Sequence, residues 1–559
     1  MKSFVAAREV FLGSSEPSLA SARHLAAVTD AAVRDLAQAA AAHFSGRFAL
    51  VALGAWGSGA LLPASDLDIL VLSDAPANKL KRFVEEVLNP LRDSGLPVGH
   101  QVRSPRGQLA AMRADLATCT AALTDRAIAG DVAWADDVLA RAAVDTHKRS
   151  RRLLGELANR PRPGSPYLLE PDLKECAGGR RDYDELTWTA AVLTGRVQLN
   201  PSSLVQLGIL TAHEFATLAA AAEAVAVARW LLARSGAGNR MTLDACEALP
   251  AAVPIAAQRA LADTWLVLSR ARRRAAGESV EHDEPLAPEA VFALLDTGDA
   301  ALPALEEAAQ AGRLESVAPG LRELMTLRRP GLGHELTVGA HSLKTASLVM
   351  HLPPERAVAQ SAAAIEHPRT LQVAALAHDV GKVRPGPGHA EAGAAAAGRI
   401  ARSFGLSTAA GADVAELVRL HLALAESATH VDVDDENSVL QAAARVGRRE
   451  LLAPLHLLTA ADSLATGPAT WSAWKAALVG TLVARPHRSA RCTLRRARCR
   501  AGVRGARTPA LPREPLTRRG DPRRPSRRRT LACARVGCRP ARRGPRPDSR
   551  DEHPDRGDR

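Results

Sequence analysis

The chain has 559 residues, enough for two or three domains that each bury a core, and a formal net charge of +13. That charge is not spread evenly: residues 481–559 hold 25 arginines, no lysine and seven acidic residues, which leaves the first 480 residues at −5 and argues against a basic nucleic-acid groove in the body. The richest apolar stretch, residues 219–233, is broken by Glu223 and Arg229, and Arg8 and Glu9 stand where a signal sequence needs apolar residues, so a cytoplasmic protein without a membrane segment is expected.

Cys119, Cys176 and Cys246 are far apart and show no CxxC spacing, which argues against a disulfide framework or a zinc ribbon. The other four cysteines fall in 481–559 with ten prolines and no Phe, Trp or Tyr. Such a composition cannot build a core and predicts a disordered basic tail.

The first 45 residues, Ala-rich with spaced Leu, Val and Phe, predict helices. Residues 48–53 predict a short strand that runs into Gly54-Ala55-Trp56-Gly57-Ser58-Gly59, and SDLDILVL predicts a second strand close behind. Asp66 and Asp68 stand two apart on that strand, so their carboxylates face the same way. Such a pair can hold Mg²⁺ with positions left open for triphosphate oxygens, stabilising the attacking and leaving oxygens of an in-line displacement. Gly54, Gly57 and Gly59 let backbone N–H groups approach phosphate, and Ser65 adds a hydroxyl. Either motif alone reads more readily as a turn or a polar strand end; together they point to a nucleotidyltransferase of the DNA polymerase beta type.

From about 107 to 327 the periodicity is helical, with Pro-rich breaks at 160–166 and 249–254. Within it LLEPDLKECAGGRRDYDELTW, residues 168–188, sets Lys174 and Arg181 around a glycine pair. They serve either as contacts for a triphosphate or as part of a domain-joining turn with an Arg181–Asp182 surface pair.

Residues 331–480 are helical again, and nine of the chain's 17 histidines lie between His334 and His456. His378 and Asp379 are adjacent in AALAHDVGK; helix neighbours lie about 100° apart, so both reach one metal only if other ligands arrive from elsewhere. His341, His421 and Asp462 supply them. Mixed imidazole and carboxylate ligation suits Mn²⁺, Mg²⁺, Fe or Zn²⁺ with exchangeable water for attack on a phosphodiester. Lys382 falls on the same helical side as His378 if the helix persists past Gly381, where it would stabilise phosphorane charge. His389 and Glu391 follow a Pro/Gly loop, and His351, His367 and His456 are expected as packed core histidines.

These strings resemble one family, the bifunctional PII uridylyltransferase/uridylyl-removing enzymes, over roughly residues 20–482. GAWGSGALLPASDLDILVL is similar to the family's transferase motif, residues 168–188 to a segment that follows it, and HDVGKVRPGPGHAEAGA with LTAADSLATGPATWSAWKAALV to its uridylyl-removing domain. The resemblance implies a multi-domain α+β chain: a nucleotidyltransferase α/β domain (1–150), a helical middle region (151–330), an all-α HD phosphohydrolase domain (331–480) and the disordered tail (481–559). It implies Asp66 and Asp68 as the catalytic Mg²⁺ ligands of the transferase, and Gly54, Gly57, Gly59, Ser65, Lys174 and Arg181 as nucleotide contacts. A third transferase carboxylate is implied, with Asp115 the candidate beside its plainer role at a helix start. His341, His378, Asp379, His421 and Asp462 match the hydrolase metal ligands, with His378, Asp379 and Lys382 catalytic. Ala55, Ser58 and Ala60 depart from the family's glycine, arginine and glutamate, and the missing arginine removes a phosphate contact. Pro-Gly-Pro at 385–387 is the departure in the hydrolase region.

The implied activity is transfer of UMP, or in some lineages AMP, from UTP or ATP to a tyrosine of the PII signal-transduction protein, and hydrolysis of that bond by the HD site. The family's glutamine-sensing ACT domains are expected to be missing and glutamine sensing lost. The tail reads as out-of-frame translation of GC-rich DNA or, alternatively, as a phosphate-gripping arm. Two further readings stand beside this one. A tRNA CCA-adding enzyme would carry an RRD motif like Arg180-Arg181-Asp182, but here that motif lies more than 100 residues after Asp68 in an acidic body, so a nucleic-acid partner is not expected. The other is a regulatory pseudo-enzyme with an impaired transferase loop.

Overall fold

The structure, a computed structural model, describes residues 2–484 apart from 281–283, 332, 385, 387, 431–444 and 468. The expected tail from 485 onward, and Pro385 and Pro387 of the Pro-Gly-Pro departure, lie outside the described residues. One boundary is corrected. The helix Ala473–Ala484 runs through the expected start of the tail at 481, because Leu482 and Val483 complete its buried apolar face.

Four strands, β1 (Phe48–Ala52), β2 (Leu67–Ser73), β3 (Val98–Arg103) and β4 (Arg126–Gly130), form a mixed sheet in the order β3-β2-β1-β4. β1 is antiparallel to β2 and β4, and β2 is parallel to β3. Side chains alternate across a strand. Leu50, Ala52, Ile69 and Val71 therefore enter one core with Leu25, Val33 and Phe83, from the helices Leu19–Ala41 and Ala77–Arg92. Ala49, Val51, Leu70 and Leu72 enter another, with Val138 and Leu153 from Val132–His147 and Ser150–Ala158. With both faces covered, the central strands read as near-continuous apolar runs. β4 interrupts the stretch expected to be wholly helical. Its five residues have no strong strand pattern of their own and are held extended by pairing with β1.

In the middle of the chain, helix Ala212–Arg234 packs along helix Ala252–Ala275. By length and composition it could cross a membrane, yet Leu218, Ala221, Val225, Ala228 and Leu232 are buried in the protein's own cores. Cys119 and Cys176 are buried free thiols and Cys246 is a half-buried one.

A further core gathers the helices Val338–Leu348, Pro368–Ala377, His389–Ser403, Thr408–Leu420 and Leu452–Thr466. It also takes in Val291, Leu305, Leu314 and Met325 from the stretch expected to be the middle region, along with Tyr167 and Ala262. A short backbone ladder crosses here: Thr337 N–H donates to Tyr167 O at 2.9 Å and Leu169 N–H to Glu335 O at 2.8 Å.

Beside that ladder Glu306 is 6% exposed, with the Ser165 hydroxyl donating to it at 3.4 Å, and burial pushes its carboxyl up to about 7. Because the folded value lies above the ordinary 4.5, this group's contribution to stability is fully present below pH 4.5 and is lost as pH rises to about 7. Glu306→Gln should therefore raise the melting temperature at pH 8, by a free energy on the order of 3 kcal/mol at most, and leave it nearly unchanged at pH 4.5; thermal melts at the two pH values check this.

Candidate functional site

Trp56 anchors the glycine loop. Its fully buried indole donates Nε1–H to Asp30 Oδ1 at 2.9 Å, and Asp30 also receives Arg126, at the head of β4, at 2.6 Å. Residues Gly54–Gly57 form one helical turn, with Gly54 at φ +57, a backbone conformation that favours glycine. Gly57 backs onto the Ala52 carbonyl too closely for a side chain, and Gly59 lies beside Arg23, so these two shape the loop while Gly54 lines the cleft beyond it. Ser65 Oγ accepts Leu62 N–H at 3.0 Å and pins the turn before β2.

Asp66 and Asp68 flank the buried Leu67 and both open into one cleft of about 1010 Å³. Asp68 pairs in register with Gly99 of β3, and its Oδ1 occupies the space that a side chain at 99 would need. Burial and the neighbouring Asp66 raise the Asp68 carboxyl, while Lys174 and Arg181 draw it down. The two carboxylates and two cations thus act within one field.

Lys174 and Arg181 arrive on the turn at 168–188. Asp172 Oδ1 accepts the N–H groups of Lys174 and Glu175 at 2.8 and 2.9 Å. Asp182 Oδ2 accepts Gly178 N–H at 2.7 Å, and its Oδ1 receives Arg160 at 2.5 Å and Arg162 at 2.7 Å. The expected Arg181–Asp182 surface pair does not form. Asp182 is fully buried at the start of helix Arg180–Thr194, and Arg181 turns instead toward Glu175 at 3.5 Å. Arg180 pairs with Asp184 at 2.7 Å and its Nη2 reaches Ser58 Oγ at 3.5 Å, so a guanidinium from another segment stands by the loop position that lacks one.

Asp115 caps helix Leu116–Thr124, accepting Thr118 N–H and the Thr118 hydroxyl, each at 2.7 Å, and these bonds hold its carboxyl below the usual range. A carboxylate that the motifs did not single out, Asp125, immediately precedes β4 and lines the same cleft. Burial pushes its carboxyl well up and Asp68 adds to that. Gly54 N–H gives it only weak support: neither oxygen has a full hydrogen bond among the described residues. A buried carboxylate left in this way beside Asp68 fits a third oxygen ligand for a cation. The only signal in the sequence is a polar residue at the junction of an apolar helix and a five-residue strand.

The histidine cluster is delivered by the ends or faces of five helices. His341 lies in Val338–Leu348, His378 and Asp379 follow Pro368–Ala377, His389 opens His389–Ser403, His421 follows Thr408–Leu420, and Asp462 lies in Leu452–Thr466. The helix does not persist past Gly381, as the reading of Lys382 required. Gly381 packs against the His389 backbone with no room for a side chain, and Val380–Val383 tightens to a 3₁₀ turn. That turn brings Lys382 Nζ to 2.6 Å from Asp379 Oδ2.

His378 and His421 each donate Nδ1–H to the carbonyl three residues earlier, Ala375 at 2.8 Å and Val418 at 2.7 Å, which turns each Nε2 toward the centre. His341 Nε2 lies 3.2 Å from His378 Nε2 and 2.9 Å from Asp462 Oδ1. Asp379 Oδ2 is 3.4 Å from His378 Nε2, and Oδ1 is 3.4 Å from His389 Nε2 and 3.8 Å from His421 Nε2. Asp379 therefore belongs to two ligand sets, one with His341 and His378 and one with His389 and His421. Burial works against the charged form of His378, yet Asp379 and Asp462 raise it to about 10; burial likewise opposes ionisation of Asp379, yet His378, His389 and Lys382 hold its carboxyl well below the usual range. So dense a set of carboxylates and nitrogen lone pairs calls for positive charge at its centre, and its donors suit a divalent cation.

Glu391 stands outside the cluster, exposed, 3.5 Å from Arg419. His456 is a packed core residue, its Nδ1 2.9 Å from Ser361 Oγ, and burial pushes it down to about 4. His351 and His367 are not core residues. Both are exposed because they sit in connecting segments, His367 just ahead of helix Pro368–Ala377.

Residues 148–272 match the family model described as GlnD PII-uridylyltransferase, and residues 338–467 match the HD domain. The bifunctional uridylyltransferase/uridylyl-removing enzyme of Streptomyces coelicolor is 30% identical over 547 residues, covering 83% of this chain and 64% of that protein. The enzyme of the same name from Mycobacterium tuberculosis is 30% identical, covering 78% and 63%, and that of Ruegeria pomeroyi is 26% identical, covering 79% and 60%. The chain is similar to the bifunctional uridylyltransferase/uridylyl-removing enzymes. It spans 60 to 64% of the length of these three. The GlnD segment contains Lys174 and Arg181, and the HD segment contains both of the ligand sets that share Asp379.

Two outcomes follow from this geometry. Asp379→Asn should abolish divalent metal retention after dialysis, read as metal content by emission spectrometry, while Glu391→Gln retains the wild-type content. Gly99→Ala should displace the Asp68 carboxylate and weaken Mg²⁺-dependent nucleotide binding about tenfold with little change in melting temperature, since the flexible end of one side chain is all that must move.

Proposed function

We propose that this chain attaches UMP from UTP to a tyrosine of a PII protein, releasing diphosphate, and that its HD centre hydrolyses the same phosphodiester bond. What carries this reading is the presence in one chain of a carboxylate cleft flanked by Lys174 and Arg181 and of a separate histidine cluster centred on Asp379. The names of its relatives support it. In this reading residues 1–150 form a nucleotidyltransferase domain of the DNA polymerase beta type, 151–330 support the substrate, and 331–480 form the hydrolase, all in the cytoplasm.

In the cleft, Asp66, Asp68 and Asp125 would hold Mg²⁺, which when bound would supply positive charge against the triphosphate. The backbone at Gly54 and the side chains of Lys174 and Arg181 hold the phosphates so that the tyrosine oxygen can attack in line, and Ser65, Gly57 and Gly59 keep the loop in shape. At the other centre His341, His378, Asp379 and Asp462 would hold one divalent ion and Asp379, His389 and His421 would hold another, of Mn²⁺, Mg²⁺, Fe or Zn²⁺. Bound there, these ions supply Lewis acidity toward the phosphodiester and water. Lys382, fixed by Asp379, sets an ammonium against the charge of the five-coordinate phosphorus. A CCA-adding function fits less well, because Asp182 of the RRD string is wholly buried on Arg160 and Arg162 and has no oxygen free to read a base.

The test uses purified chain, a PII protein, Mg²⁺ and labelled UTP, with labelled ATP in parallel. Labelling of PII should be lost in Asp68→Asn, which still removes label from premodified PII; Asp379→Asn should show the reverse. Absence of transfer from either nucleotide would sink the transferase half and leave a regulatory role.

A further inference from the structure

Helix Ala212–Arg234 places one charged side chain at the wall of the carboxylate cleft. Arg229 is 7% exposed and is flanked along the helix by Val225, Ala226, Ala228 and Trp230, all buried and apolar. Its Nε–H donates to Asn239 Oδ1 at 2.9 Å. Nearby half-buried arginines have carboxylate partners: Arg180 has Asp184 at 2.7 Å, and Arg160 and Arg162 have Asp182 at 2.5 and 2.7 Å. Arg229 has none within 4.0 Å among the described residues. Asp184 and Asp172 act on it only from farther away, and burial first, then the like charge of Arg180, push it down to about 10.

A buried guanidinium without a counter-ion is costly, and a fold keeps one where a ligand supplies the missing charge. Arg229 and Asn239 line the same cleft as Asp66, Asp68 and Arg180. With Nε committed to Asn239, the two Nη groups remain as a planar fork of donors, a geometry suited to two phosphate oxygens. Resting on the transferase reading above, we propose that Arg229, oriented by Asn239 and assisted by Arg180, binds the polyphosphate tail of the nucleotide and neutralises the departing diphosphate.

The chemistry is consistent with that placement. The tyrosine hydroxyl gives up its proton to solvent as its oxygen forms a bond to the α-phosphorus, the bond from that phosphorus to the α–β bridging oxygen breaks, and diphosphate leaves with the electron pair. Arg229 faces the leaving charge and not the base, so it serves UTP and ATP alike. The helix that carries it lies in the middle of the chain, which makes the transferase site dependent on a segment well outside the sheet.

Isothermal titration of the full chain in Mg²⁺ with inorganic tripolyphosphate, UTP and UMP tests this. Arg229→Gln should weaken tripolyphosphate and UTP about tenfold or more and leave UMP unchanged. Its ligand-free melting temperature should equal or exceed that of the wild type, because an uncompensated cation has been removed. Asn239→Ala, which keeps the charge but frees its orientation, should weaken tripolyphosphate to a smaller degree. If Arg229→Gln binds tripolyphosphate as the wild type does, or melts several degrees lower, the arginine is structural and the proposal falls while the transferase reading stands. If the wild type itself binds neither tripolyphosphate nor UTP, the transferase reading falls first.

Discussion

Asp182 is fully buried and accepts from three directions at once, with Arg160 and Arg162 on one oxygen and the backbone N–H of Gly178 on the other. The last bond ties the glycine pair back onto the helix that follows. Gly178, at φ +75, then packs against the backbone of Leu261 so closely that no other residue fits. The turn so fixed carries Lys174 and Arg181 to Asp68, and its neighbour Arg180 to the loop at Ser58. Breaking a buried charge network of this kind costs roughly 3–5 kcal/mol, because the remaining partners are left uncompensated. In the segment expected to serve as a nucleotide contact or a joining turn the acid is structural, and that is what aims its cations into the cleft.

The histidine cluster follows a different logic. No single rigid turn builds it; helix ends do. His378 and His421 each sit just past the last residue of a helix and satisfy a terminal carbonyl with Nδ1–H, so the helix end itself sets the tautomer and the ring direction. Asp379 can then belong to two ligand sets because the 3₁₀ turn after it pulls Lys382 to one of its oxygens and exposes the other to His389 and His421.

How much of this was legible in the sequence depends on where the cause of each feature lies. Asp66 and Asp68 were legible as a pair that opens into one cleft, although β2 begins at Leu67 and only Asp68 lies on it, and His378 and Asp379 were legible as a pair that meets His341. Asp125 could not be read: its burial comes from β4, and β4 is a strand only because β1 lies beside it. Lys382 was placed near the right partners for the wrong local reason, since the helix that would have aligned it ends first and a tighter turn does the work. The histidines divide the same way. His456 has an apolar helix on every side, whereas His351 and His367 lie in connections whose exposure the flanking residues do not reveal.

The backbone ladder between residues 167–169 and 335–337 links these two centres more directly than the distance along the chain suggests. Leu168 stands six positions before Lys174, and Thr337 four positions before His341. Tyr167, Val291 and Met325 share the core beneath the histidine cluster. A fragment cut near residue 330 would therefore begin with a severed rung and a bare apolar flank, so the two halves cannot be separated by truncation without destabilising the portion that carries the histidine cluster.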